Sequence, residues 1–150
     1  VVWRFKEQIE RGETLTITDL NMKRYIMSLR EAADFVLWAV DNAPPISLAV
    51  KRMKACTILD LAEAVANWTP FKYDIVGVRP GEKVEESLFD DDDESKVRVI
   101  STSIGDVGII CDNKASLETE RAPLPGDFSV SRNLIDVDEI RQMLKESGVL

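Results

Sequence analysis

The chain has 150 residues, the length of one domain, with 45% hydrophobic content and a formal net charge of −8. That charge argues against a general nucleic-acid binder, which needs a basic footprint, and no apolar run approaches the roughly 18 residues of a membrane span. Histidine is absent, which removes the commonest general base, the commonest zinc ligand and any Ser-His or Cys-His nucleophile pair.

Val2, Phe5 and Ile9 fall on one face among charged residues and predict an amphipathic helix ending at Gly12. No capping residue precedes Val1, so the chain reads as starting mid-architecture, and Arg4, Lys6 and Glu7 interrupt any signal-peptide pattern. Residues 15–18 alternate as a short strand, 19–21 form a turn, and 24–28 make a second short extended segment. These strands are too short to pair stably without neighbours. Ser28 and Glu31 supply a capping box for a helix over 29–42. Its residues are apolar nearly all round, which predicts a core element buried on more than one side, stopped by Pro44-Pro45.

Residues 46–50 read as a strand and 51–54 as a basic connector; Thr57 and Asp60 open a helix through about Trp68, and Pro70 ends it. Cys56 and Cys111 lie far apart in apolar surroundings and read as reduced thiols of a cytoplasmic protein. An apolar strand over 73–78 then runs into Arg79-Pro80-Gly81 and a charged helical start through Leu88. Pro80 presets φ and Gly81 accepts positive φ, so the pair makes a tight turn. Arg79 at a strand end beside a helix N-terminus is where an α/β protein holds an anion. The same residues also describe an ordinary surface turn with a solvated arginine.

The acidic run 90–94 lacks the alternating ligands and glycine of a calcium loop and reads as a solvated loop, so no metal site is expected. Residues 97–100 and 107–110 form a hairpin around Gly105-Asp106, residues 113–127 a long polar loop, and 136–148 a terminal helix with Ile140, Met143 and Leu144 on one face. There is no G-x-G-x-x-G and no P-loop; Gly105 and Gly108, the only close analogue, sit in the late hairpin. Among possible acid–base groups only carboxylates remain, which argues against a stand-alone enzyme. The whole reads as a single α/β (α+β-like) domain over 1–150, with a small mixed sheet and four to five helices.

The order of four segments resembles one group of proteins: V-x-x-F-K-E-Q-I at 2–9, L-T-I-T-D at 15–19, M-K-R-Y-I-M-S at 22–28 and V-G-V-R-P-G-E-K at 76–83. The tail, Phe128 to Ser131 with Asn133 and then 137–140, is similar to that group's last strand and helix. The resemblance is to the C-terminal, substrate-binding part of nucleotide-sugar 4,6-dehydratases of the extended short-chain dehydrogenase/reductase family, the UDP-N-acetylglucosamine kind used in bacterial polysaccharide synthesis. It implies that NAD(P) and the catalytic Tyr/Lys pair belong to a Rossmann half whose segments are not here, and that this chain alone carries no catalytic residue and no cofactor. It also implies that Arg24 and Arg79 meet the pyrophosphate of a UDP-sugar and that Glu82 orients the sugar or Arg79. Two guanidiniums forking onto phosphate oxygens suit a diphosphate in an otherwise acidic protein. The implied partners are a UDP-sugar and either a separate Rossmann half or further copies of this chain, with no nucleic acid and no membrane. The sequence departs from the group after Arg24, with Tyr25-Ile26 for an aromatic pair, and after Lys83, where Val84-Glu85-Glu86-Ser87 has no histidine. An alternative is a stand-alone, non-enzymatic domain of the same ancestry that acts as a small dimeric interaction protein.

Overall fold

A computed structural model describes residues 1–90, 93, 96–111 and 128–150, together with the backbone of 120–121. Four helices and three small sheets are present among them. In chain order these are α1 (Val2–Glu10), β1 (Leu15–Ile17), β2 (Lys23–Ile26), α2 (Leu29–Asn42), β3 (Ser47–Lys51), β4 (Lys54–Thr57), α3 (Ile58–Ala66), β5 (Tyr73–Ile75), β6 (Arg98–Thr102), β7 (Gly105–Cys111), β8 (Glu120–Arg121), a 3₁₀ turn (Val130–Arg132) and α4 (Val137–Glu146). The α/β class with a small helix set holds, but the sheet is divided: β1 pairs parallel with β5, β2 antiparallel with β4, and β3-β7-β6-β8 form one antiparallel sheet.

Local chemistry sets most boundaries. Ser28 accepts from the Glu31 N–H (3.1 Å) while the Glu31 carboxylate accepts from the Ser28 N–H (2.9 Å), a complete capping box. Thr57 accepts from the Asp60 N–H (3.0 Å), and Asp136 from the Glu139 N–H (2.9 Å). Gly12 and Gly148 follow α1 and α4 at positive φ, as helix ends favour. Helix α3 stops at Ala66, two residues before the expected end, because Asn67 turns left-handed there.

The main core gathers Phe5 of α1, Leu15 and Ile17 of β1, Met22, Cys56 of β4, Leu61 and Val65 of α3, and Ile140 and Leu144 of α4. A second cluster, Val97, Val99 and Phe128 with Leu88 and Phe89 against it, lies under the four-stranded sheet. Gly108 of β7 makes room for it: a methyl there would meet Val97 Cγ1 at 3.0 Å, Phe128 Cζ at 3.1 Å and Phe89 Cζ at 3.2 Å.

Several expectations are corrected. Helix α2 is not a core element: none of its residues is buried, and Leu29, Val36, Leu37 and Val40 are 87%, 59%, 65% and 77% exposed. Its apolar faces find no large partner among the described residues. Residues 54–57, read as part of a basic connector and helix lead-in, are a strand, because β2 offers them a full antiparallel register from Lys23↔Thr57 to Ile26↔Lys54. Residues 82–88 form no helix; the backbone of 83–84 is instead bound to β2. Residues 130–132 form a 3₁₀ turn rather than a last strand, with the Arg132 N–H capped by Ser129. The short strands 15–18 and 24–28 do pair, with β5 and β4. Most of the acidic run 90–94 and of the loop 113–127 lies outside the described residues, although 120–121 pair with β6 as β8. Cys56 is a buried free thiol and Cys111 is half-buried. Among the described residues no helix is long and apolar enough to cross a membrane.

Candidate functional site

Pairing of β1 with β5 continues past the strand ends: the Val76 N–H donates to the Ile17 carbonyl (2.9 Å) and the Gly77 N–H to that of Thr18 (3.1 Å). This delivers Arg79-Pro80-Gly81-Glu82 to the end of the pair as a type II turn. The Glu82 N–H donates to the Arg79 carbonyl (3.0 Å), and Gly81 has φ +83°, the sign the third position of that turn requires. The Glu82 side chain returns to accept from the Arg79 N–H at 3.2 Å, so the turn is closed from both sides. The Arg79 side chain is exposed and, among the described residues, makes no hydrogen bond or ion pair. Glu82 therefore shapes the turn that carries Arg79, and the helix N-terminus expected beside Arg79 is not there.

Arg24 is differently placed. It stands on β2, and the segment after the turn lies along that strand, with the Lys23 N–H donating to the Val84 carbonyl (2.9 Å). The Arg24 guanidinium donates from Nη1 to the carbonyls of Lys23 (2.7 Å) and Val84 (3.3 Å) and from Nη2 to that of Lys83 (2.9 Å). Its Nε pairs with Glu86 at 3.4 Å. Three of its five donors are thus hydrogen-bonded to backbone carbonyls, and Nε faces Glu86 in the ion pair. The fold brings Arg24 to the chain segment that begins at Arg79, but as a clamp on its backbone.

Around this clamp is a cluster that sequence reasoning missed. Lys23 Nζ pairs with Glu85 and donates to Ser131 Oγ (2.7 Å), and Ser131 Oγ donates to Glu85 (3.2 Å). These bonds from Lys23 and Ser131 hold the Glu85 carboxyl below its usual range. The Tyr25 hydroxyl donates to the Phe128 carbonyl at 2.5 Å. Burial, followed by the charges of Glu86 and Glu85, pushes that phenol up to about 12. No local signal pointed to this cluster, since its hydrogen-bonded partners are separated by 46 to 108 positions.

Gly105 and Gly108 lie in a β-hairpin, and the space above Gly108 is filled by Phe89 and Phe128 rather than open to a pyrophosphate. Among the described residues there is no group of three or more Cys, Asp or Glu side chains able to hold a metal ion. Two surface grooves stand apart from Arg24, Arg79 and Glu82. One, of about 510 Å³, runs between the end of α1 and residues 69–72; the other, of about 410 Å³, lies between Phe35, Val36 and Val40 of α2 and Ala49 of β3.

Comparison with known proteins agrees with this architecture. The chain is 37% identical over 98 residues to UDP-glucose 4-epimerase of Rickettsia conorii and 38% identical over 98 residues to that of Rickettsia akari. In each case the match takes in 64% of this chain and 29% of the relative. It is also 38% identical over 92 residues to an uncharacterised membrane protein of Methanocaldococcus jannaschii, over 55% of this chain and 28% of the other. Among solved structures, Pen from Bacillus thuringiensis superposes with a TM-score of 0.84 at 25% identity, over all of this chain and 46% of that one. The chain thus spans less than a third of the length of the curated relatives it matches and under half of the solved one. A family model described as polysaccharide biosynthesis protein matches residues 1–105, the stretch that contains Arg24, the Arg79 turn and Glu82, and the chain belongs to that family.

Proposed function

We propose that this chain is a nucleotide-sugar binding part of a polysaccharide biosynthesis protein, and that it contacts the diphosphate of a UDP-sugar. The observation that carries the reading is the Arg79 turn: a guanidinium without a partner among the described residues, on a turn closed by Glu82, at the end of a parallel strand pair. An always-charged fork of this kind matches phosphate oxygens bidentately. The similarity to UDP-glucose 4-epimerases supports a uridine nucleotide as the ligand class. Within this reading Arg79 makes the first phosphate contact, Arg24 the second, and Glu82 orients Arg79. UDP-N-acetylglucosamine, and 4,6-dehydration as the parent reaction, are the specific substrate and chemistry proposed. Hydride transfer and its NAD(P) cofactor belong to groups outside these 150 residues, so the chain alone is not catalytic, and its setting is the cytoplasm. Calorimetric titration of the chain with UDP and UDP-N-acetylglucosamine at low salt tests this. Binding abolished by Arg79→Ala supports it; absence of heat at millimolar ligand refutes it.

A second reading is favoured by the exposed apolar faces of α2, with Leu29, Val36, Leu37 and Val40 all more than half exposed. Surfaces of this kind are covered in solution. We infer that α2 packs on a dinucleotide-binding half or on a second copy of the chain. Light scattering of the chain, with Val36→Glu and Val40→Glu as variants, separates the two: a dimer broken by the substitutions supports self-association, and a monomer in all forms excludes it.

A further inference from the structure

The two carboxylates that flank Arg24 are held unequally. Glu85 is fastened by Lys23 Nζ and by Ser131 Oγ at 3.2 Å. Glu86 makes two long contacts, with Oε1 3.4 Å from Arg24 Nε and Oε2 accepting from the Tyr25 N–H at 3.4 Å. Among the described residues Glu86 is also the only anionic partner of the Arg24 guanidinium, whose other acceptors are the neutral carbonyls of Lys23, Lys83 and Val84. An anion that approaches Arg24 meets a weakly held competitor of its own sign, and charge-assisted bonds from a dianionic phosphate outweigh one long carboxylate contact.

We propose that Glu86 gates Arg24: it holds the guanidinium against the 83–84 backbone in the free protein, and a diphosphate ester engages Arg24 by displacing the Glu86 carboxylate. This rests on the nucleotide-sugar reading above. Glu86 acts here through Arg24, as a positioning residue. Because the pair is partly exposed, with side chains 21% and 44% accessible, its removal is worth a modest gain in affinity.

Two measurements test the gate. In calorimetric titrations with UDP, Glu86→Gln tightens binding about two- to five-fold, the equivalent of an exposed ion pair, and the gain vanishes in an Arg24→Gln background. Equal or weaker binding by Glu86→Gln, where the wild-type chain binds UDP, overturns the gate and leaves the nucleotide reading standing. An equal gain from Glu85→Gln also overturns it, by reducing the effect to bulk charge. The second measurement needs no ligand. Trypsin cleaves after Lys83 about two-fold faster in Glu86→Gln, because Arg24 then holds the carbonyls of 83 and 84 less firmly; unchanged cleavage overturns the gate even where UDP does not bind and the nucleotide reading has itself failed.

Discussion

Replacing Gly108 by alanine tests the packing that supports the candidate site. Glycine within a strand is normally a weak point, and Gly→Ala at ordinary backbone angles stabilises by roughly 0.4–1 kcal/mol through the unfolded chain. Here the added methyl meets Val97 at 3.0 Å, Phe128 at 3.1 Å and Phe89 at 3.2 Å. Three side chains must each retreat by a few tenths of an ångström, and the two rings already pack edge-on at 5.0 Å between centroids. Overpacking of this kind costs roughly 1–3 kcal/mol, so crowding wins and the net loss is about 1–2 kcal/mol. For a chain of this size that lowers Tm by roughly 2–8 °C in a calorimetric or circular-dichroism melt. Relief comes from Phe89→Leu in the double variant, whose combined loss is smaller than the sum of the single losses. The consequence reaches the site, because Phe89 ends the segment that carries Glu85 and Glu86, and the Phe128 carbonyl receives the Tyr25 hydroxyl. A Gly108→Ala variant that melts at or above the wild-type temperature refutes the reasoning and shows that the two rings yield freely.

Other consequences concern caps and buried groups. Ser28→Ala removes one half of the α2 capping box and costs about 1 kcal/mol, read as lost helical ellipticity in a helix with little tertiary support. Burial raises the Glu31 carboxyl, but the Ser28 backbone and hydroxyl bonds outweigh it and leave it depressed below 4.5. The contribution of Glu31 is therefore present above that value and lost as pH falls through the lower folded one, and Ser28→Ala flattens this acid limb. Tyr25 runs the other way: its phenol is raised by burial from 10.0 to about 12, so its contribution is complete below pH 10 and is lost as pH rises towards 12. Ultraviolet titration should show one phenolate appearing at that late step, and Tyr25→Phe should remove it. Burial, then Asp60, pushes the Cys56 thiol to about 12. A thiol reagent at pH 8 should leave Cys56 unmodified until denaturant is added; prompt labelling of Cys56 in the folded chain would contradict the packing around β4.

Much of the local structure was legible because its causes are local. The limits of α2 follow from Ser28 and Glu31 at one end and Pro44 at the other, the start of α4 from Asp136, and the 98–111 hairpin from Gly105. The Arg79-Pro80-Gly81-Glu82 turn is likewise written in four consecutive residues, since φ at Pro80 and Gly81 is a property of those residues alone. The segment beyond the turn was not legible. Residues 82–88 carry helix-forming side chains, yet the carbonyls of Lys83 and Val84 are claimed by Lys23 and Arg24 from about sixty positions away, which draws the segment alongside β2. Strand β4 escaped notice for the same reason: its lysine-rich approach reads as a connector until β2 supplies the opposing hydrogen-bond row.

Sequence alone determined which faces are apolar, where α2 starts and stops, where α4 starts, and that Arg79 stands on a tight turn, because propensity, capping and turn geometry act over a few residues. Only the tertiary structure decided what meets those faces. It left the apolar helix α2 exposed, although periodicity predicted burial, since a hydrophobic pattern records that a face favours cover and not what covers it. It also separated the two arginines that the sequence treats alike, leaving Arg79 exposed on its turn while binding Arg24 to backbone carbonyls and Glu86. That distinction depends on pairings across long loops, and so it exists only once the chain has closed them.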